Sequence, residues 1–238
     1  MVSQIKLGEI TVDVILKDIK NVHLSVYPPT GRVRISAPIG MSLDTIRVFA
    51  ISKLDWIKKQ QTKLKEQERE TPRDFVDRES HYVWGKRYLL TVTERNEAPS
   101  IELKHNRMVL QVRPGTDKVK RRALVDGWYR GQLKKALPPL LAQWQPLLGV
   151  AVEKFFVRRM KTKWGSCNYR AHTIRLNTEL AKRPPECLEY IVVHELMHLL
   201  EPTHNARFVE LMDRHMPHWR TQRDELNRAP LAHEDWGY

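Results

Sequence analysis

The run His194-Glu195-Leu196-Met197-His198 constrains this chain more than any other stretch, because it fixes both a helix and a chemistry. Arg183-Pro184-Pro185 precedes it, and proline suits the first turn of a helix, where its missing N–H would have no partner anyway. Leu188, Ile191, Val192, Leu196 and Leu199 give that helix a wide apolar face. Residues four apart on a helix differ by about 40° of rotation, so His194 and His198 point the same way and can share one tetrahedral Zn2+ ion. Glu195 is turned about 100° aside, close enough to take a proton from water without itself being a ligand. Zinc lowers the pKa of water toward neutrality, and a carboxylate so placed is the general base that readies the water for attack on a carbonyl.

A third ligand has to come from outside the helix. His204 follows His198 by six residues, about 240° around a continuing helix, where it could not reach the same ion. Pro202 supplies the break: its ring disfavours the α conformation at Glu201, ends the helix near Leu200 and lets the chain return His204 to the metal. In the pattern H-E-x-x-H-x-x-G-x-x-H a glycine makes this turn; here Glu201 holds that position, so the turn depends on the proline. Glu210 and Asp213 on the following helix are the competing third ligands. Thr203 is the expected N-cap of that helix, with Phe208, Leu211 and Met212 on its apolar face and Pro217 ending it.

Upstream of the histidines, residues 154–163 and 173–177 have strand patterning, separated by Trp164-Gly165-Ser166-Cys167-Asn168, which has the composition of a turn. If the strand around Ile174 forms the edge of a small sheet above the zinc helix, an extended peptide can pair with its backbone. Lys163, Trp164, Ile174 and Tyr190 are the candidate substrate-binding residues, Tyr190 because it lies one turn before His194 on the same face. His215 and His218 are candidate donors to a developing oxyanion.

The remaining chain predicts an α+β fold. Alternating runs at 10–14, 23–27 and 32–36, broken by Pro28-Pro29-Thr30-Gly31, have the pattern of an antiparallel meander. Ser42 caps a helix whose stripe is Leu43, Ile46, Phe49, Ala50, Leu54 and Ile57, before the sequence turns polar from Lys58 to Arg69. Thr71-Pro72-Arg73 closes that tail and marks a boundary. Residues 88–93, 101–104 and 108–113 are expected strands, the last two joined by a turn at His105-Asn106-Arg107. A helix from Asp117, with Val125, Trp128, Leu133 and Leu137 on one side, is expected to be interrupted or ended at Pro138-Pro139. Three segments result: 1–72, a β-meander plus helix; 73–118, β-rich; and 119–238, which holds the histidines. No internal repeat is evident.

Composition narrows the class. With 41% hydrophobic residues in 238, the chain can bury one core with a smaller lobe, which argues against disorder. It has neither an apolar leader after Met1 nor an apolar run of about 18 residues, so a cytoplasmic chain without a membrane span is expected. Cys167 and Cys187 are too few for a disulfide scaffold and are not spaced as a metal knuckle; both are expected to be reduced, buried thiols. The net charge of +13 favours acidic partners. Its clusters at 58–59, 118–122 and 158–163 are either solvated faces or the footprint of a nearby nucleic acid or nucleotide.

The run from Lys161 to Asn168, Ile174-Arg175-Leu176-Asn177, the stretch from Leu188 to Glu195, His204 and Pro217-His218-Trp219 together resemble the YgjP-like zinc metallopeptidases, relatives of the SprT-like group. The resemblance extends over nearly the whole chain, including residues 232–238. It implies a small α+β zincin-like catalytic domain, here following the N-terminal antiparallel β-rich lobe that the alternating runs predict, with one Zn2+ at His194, His198 and His204 and with Glu195 catalytic. Part of the group is associated with peptide hydrolysis and part with a nucleoside-triphosphate pyrophosphatase activity on UTP. SprT-like relatives act on DNA-bound proteins, and full-length forms are associated with restriction–modification systems. The favoured expectation is a zinc peptidase acting on protein or peptide. The alternatives are a metal-dependent pyrophosphatase, with the Arg158 to Lys163 run near the phosphates, and a DNA-associated protein whose structural zinc requires a fourth ligand.

Overall fold

The computed structural model describes residues 2–27, 30–66, 73–160 and 163–228. Pro28-Pro29, the polar tail from 67 to Pro72, Lys161-Thr162 and the closing residues 229–238 lie outside the described residues. The chain forms two compact units, Met1–Pro72 and Arg73–Ala229, each with its own hydrophobic core. The segment 73–118 falls within the second unit.

In the first unit, strands β1 (Val2–Leu7), β2 (Ile10–Lys17), β3 (His23–Tyr27) and β4 (Arg32–Pro38) form one sheet in the order β1-β2-β4-β3. This corrects the expected antiparallel meander: β2 lies parallel to β4, and β3 is antiparallel on the outer edge of β4. Alternation in sequence reports which face a side chain takes and is silent on which strand lies alongside. Asp13 ties the arrangement together from the middle of β2. Its buried carboxylate accepts from Gln4 Nε2 of β1 at 2.9 Å and pairs with Arg32 of β4. Helices α1 (Leu43–Ser52) and α2 (Leu54–Glu66) complete the unit, and Ile46, Ala50 and Ile57 pack with Val12, Val14, Val33 and Ile35. Ser42 caps α1 by accepting from Thr45 N at 3.2 Å.

The second unit opens with the same plan. Strands β5 (Ser80–Val83), β6 (Lys86–Glu94), β7 (Ser100–Lys104) and β8 (Arg107–Val112) take the order β5-β6-β8-β7, again with a parallel middle pair between two antiparallel ones. A repeat thus exists in topology though none shows in sequence. Asp117 then caps α3 (Lys118–Leu148), accepting from Lys120 N at 2.8 Å. The helix is 31 residues long and runs through Pro138, Pro139 and Pro146, which corrects the expected interruption. Leu133, Leu137, Leu141, Trp144 and Leu148 bury one side, whereas all three prolines stand on the exposed side. The hydrogen bonds that the prolines cannot donate are therefore lost where water can serve the carbonyls, and core packing holds the axis.

Beyond α3, strands β9 (Lys154–Arg158), β10 (Gly165–Asn168) and β11 (Thr173–Asn177) form a sheet in the order β10-β11-β9. Residues 165–168, expected to turn, are a strand antiparallel to β11. The turn comes later, where Asn168 Oδ1 accepts from the backbone of Arg170 and Ala171 at 3.2 and 3.1 Å and His172 takes φ 47°. A 3-10 helix (Thr178–Lys182) follows, then α4 (Pro185–Met197), α5 (Ala206–His215) and α6 (Trp219–Arg228). Helix α4 packs against α3, α6 and β10, so its length runs through the core of the unit. Among the described residues no helix is long and apolar enough to cross a membrane.

Candidate metal centre

Helix α4 buries Leu188, Ile191, Val192, Val193, Leu196 and Met197, which fixes its rotation and turns His194 and His198 toward one point. The α-helical span ends at Met197, and the chain tightens: Leu199 N and Leu200 N donate to Leu196 O and Met197 O at 3.0 and 2.9 Å. His198 Nδ1 lies 3.1 Å from the carbonyl of Glu201, which holds the ring with Nε2 free to ligate. After Pro202 the chain doubles back. The cap of α5 is Asn205 rather than Thr203: its side chain accepts from Phe208 N at 3.0 Å, one residue after His204.

His204 Nε2 stands 3.0 Å from His194 Nε2, close to the ~3.3 Å edge of a tetrahedron of Zn–N bonds. Ring centroids of the three histidines are 4.9, 4.9 and 4.7 Å apart, and one ligand atom from each lies within 4.8 Å of the others. Phe208 lies under all three rings, its centroid 5.0, 4.8 and 4.8 Å from theirs, and is itself buried. Burial first, then the neighbouring His198 and His204, pushes His194 down to about 3, so its imidazole is neutral and available as a ligand.

Glu195 is only 4% exposed, and its Oε2 has no hydrogen-bond partner among the described residues. Burial pushes its carboxyl up to about 8, with Lys163 opposing. The side chain lies against the backbone of β10: a Cβ at Gly165 would stand 2.8 Å from Glu195 Cγ and 2.9 Å from Cδ. Three imidazole donors, a buried carboxyl group with an unused oxygen and a glycine cradle fit a divalent cation. Among the described residues the group has three side-chain ligands, the number found where one position stays open for chemistry.

The histidines line a cleft of about 490 Å³ with Lys163, Trp164, Tyr190 and Arg223. Tyr190 sets its ring edge-on to His194 at 5.8 Å and stacks on Trp219 at 6.2 Å. Burial raises its phenol to about 12, with Arg223 opposing. Cys167 also lines the cleft, and burial, then Glu195, keeps its thiol protonated at about 11. Ile174 does not reach the cleft. It is fully buried on β11, the central strand, so the sheet's edges are β10 and β9, and of these β10 lines the cleft, which corrects the expected position.

Glu210 pairs with Arg214 at 3.0 Å, Asp213 accepts from Trp219 Nε1 at 2.7 Å, and neither joins the histidine group. His215 and His218 are not on the cleft wall. Phe208, Gly165 and Arg223 went unrecognised in the sequence. Only Gly165 carried a signal, since a glycine inside a strand marks close approach of another group.

Three imidazoles about one point and a buried carboxylate beside them are the parts that a metal-dependent hydrolytic centre requires. Residues 20–229 match the family model described as YgjP-like, metallopeptidase domain, and the chain belongs to that family: it is a metallopeptidase. Among solved structures it is similar to the metallopeptidase zymogen abylysin of Pyrococcus abyssi, at 25% identity and a TM-score of 0.35, over 37% of this chain and 89% of that one. It is also similar to the zymogen jannalysin of Methanocaldococcus jannaschii, at 20% identity and 0.33, over 37% of this chain and 84% of that one. No curated protein matches the chain.

Proposed function

We propose that the protein is a zinc peptidase in which His194, His198 and His204 hold one zinc ion and Glu195 is the general base. The observation that carries this is the convergence of the three imidazoles beside a carboxylate that has no other partner. Zinc, when bound there, supplies a Lewis acid that polarises a carbonyl and acidifies water. The protein's own part is positional. The Glu195 carboxylate, seated against Gly165 with Oε2 unengaged, takes the proton of the attacking water and returns it to the leaving amine. A nearby dication acts in the same direction as Lys163, favouring the carboxylate form that a base requires. An extended peptide adds to the edge of β10, which sets its backbone beside Glu195 by strand pairing.

The test compares zinc-loaded wild type with Glu195→Gln on casein and on fluorogenic peptides. Both proteins are expected to hold one zinc per chain, and kcat is expected to fall about 10²–10⁴-fold in the variant. Undiminished cleavage with zinc bound would falsify the assignment of the base.

A further inference from the structure

From Lys154 to Asn177 the chain carries seven lysines and arginines and no aspartate or glutamate. This segment builds β9, β10 and β11, and β10 lines the metal cleft. Strand alternation sends Ile174 and Leu176 into the core and Arg175 to the other face, where it lies opposite Phe156 on one side and Ser166 on the other. The charges of Lys154, Arg158 and Arg175 gather on the Phe156 ring, 5.4, 5.4 and 5.6 Å from its centroid. Among the described residues none of the three pairs with a carboxylate. In the cleft, Lys163 and Arg223 stand on the wall, Arg223 also pairing with Asp224 at 2.9 Å, and Glu195, engaged in the chemistry, is the one carboxylate among the lining residues.

Charge of one sign concentrated in and beside a concave site draws in the opposite sign and rejects its own. A strand added to β10 points its side chains alternately to the cleft and to the outer face, and both carry cations. We infer that the substrate of this peptidase is an acidic segment of polypeptide, whose Asp or Glu side chains beside the scissile bond meet Lys163 and Arg223. The inference rests on the peptidase function proposed above. Lys163 lines the same cleft as Glu195 and His198, which places its charge beside the residues flanking the bond that is cut.

The experiment uses the zinc-loaded full chain and three peptides that differ only in carrying Glu, Gln or Lys on both sides of the cleaved bond. At low salt kcat/KM is expected to fall in the order Glu, Gln, Lys, by about tenfold or more between the extremes, and to converge in about 1 M salt. Lys163→Glu is expected to invert the order, a result that loss of structure cannot produce. Equal rates for the three peptides at low salt overturn the acidic preference and leave the peptidase standing. So does a Lys163→Glu variant that lowers all three rates alike and keeps the wild-type order. Failure to cleave any peptide with zinc bound removes the peptidase function and this inference together. A single-stranded oligonucleotide that blocks all three cleavages equally assigns the cationic face to nucleic acid and overturns the inference.

Discussion

A methyl group at position 165 would stand 2.8 Å from Cγ of Glu195, so the glycine and the carboxylate occupy their places only together. Gly165→Ala must push the carboxylate aside while leaving the three imidazoles where they are. We expect kcat to fall about 10²-fold, the cost of roughly 1 Å of misplacement, with zinc content unchanged by metal analysis. Phe208 has the opposite signature. Its ring packs against all three imidazoles, so Phe208→Ala is expected to weaken zinc binding roughly tenfold in chelator competition and to cost about 3–5 kcal/mol of stability. Phe208→Leu should recover most of the stability and less of the affinity, because a branched aliphatic fills the volume without offering the rings a flat surface.

At the scale of elements, the 3-10 helix that leads into α4 holds an ion pair inside the core. Lys182 Nζ lies 2.6 Å from Glu179 Oε2, and both side chains are close to nine-tenths buried. Burial alone would raise the Glu179 carboxyl; Lys182, by charge and hydrogen bond, with Arg159 and Arg183, outweighs it and holds the group below its ordinary value. A depressed carboxylate stabilises the fold fully above its unfolded pKa of about 4.5, and that stability is lost as pH falls through the folded value. Lys182→Met is expected to cost roughly 3–5 kcal/mol at pH 7 and to flatten the acid limb of a stability-versus-pH curve measured in urea.

Elements also differ in how far the sequence discloses them. Helix α4 was legible because period and chemistry coincide in residues 185–197, and Pro202 made the return of His204 readable. Strand β10 was not, because Gly165-Ser166-Cys167-Asn168 has neither alternation nor β-branching; it is a strand because β11 pairs with it. The prolines of α3 misled for a related reason, since local cost is visible in sequence and the core that outweighs it is not. The same limit hid Phe208, which reads as one more apolar residue until three rings close over it.

On the scale of the whole molecule, the family match from 20 to 229 spans parts of both units, though the histidine cluster lies in the second alone. Each unit has its own core and begins with a sheet of the same strand order. That order has a kinetic meaning. Within each sheet the antiparallel pairs β1/β2 and β7/β8 close over turns of two residues, whereas the parallel pairs join Val12 to Val33 and Leu89 to Arg107, far apart along the chain. Hairpins form in microseconds, and the longer closure carries the larger entropy cost, so the hairpins precede the joint between them. Pulse-labelled hydrogen exchange during refolding should protect the hairpin amides before those bridging β2 to β4 and β6 to β8; simultaneous protection would contradict this order. Each of the two four-stranded sheets thus has one late clasp, set between two early folds.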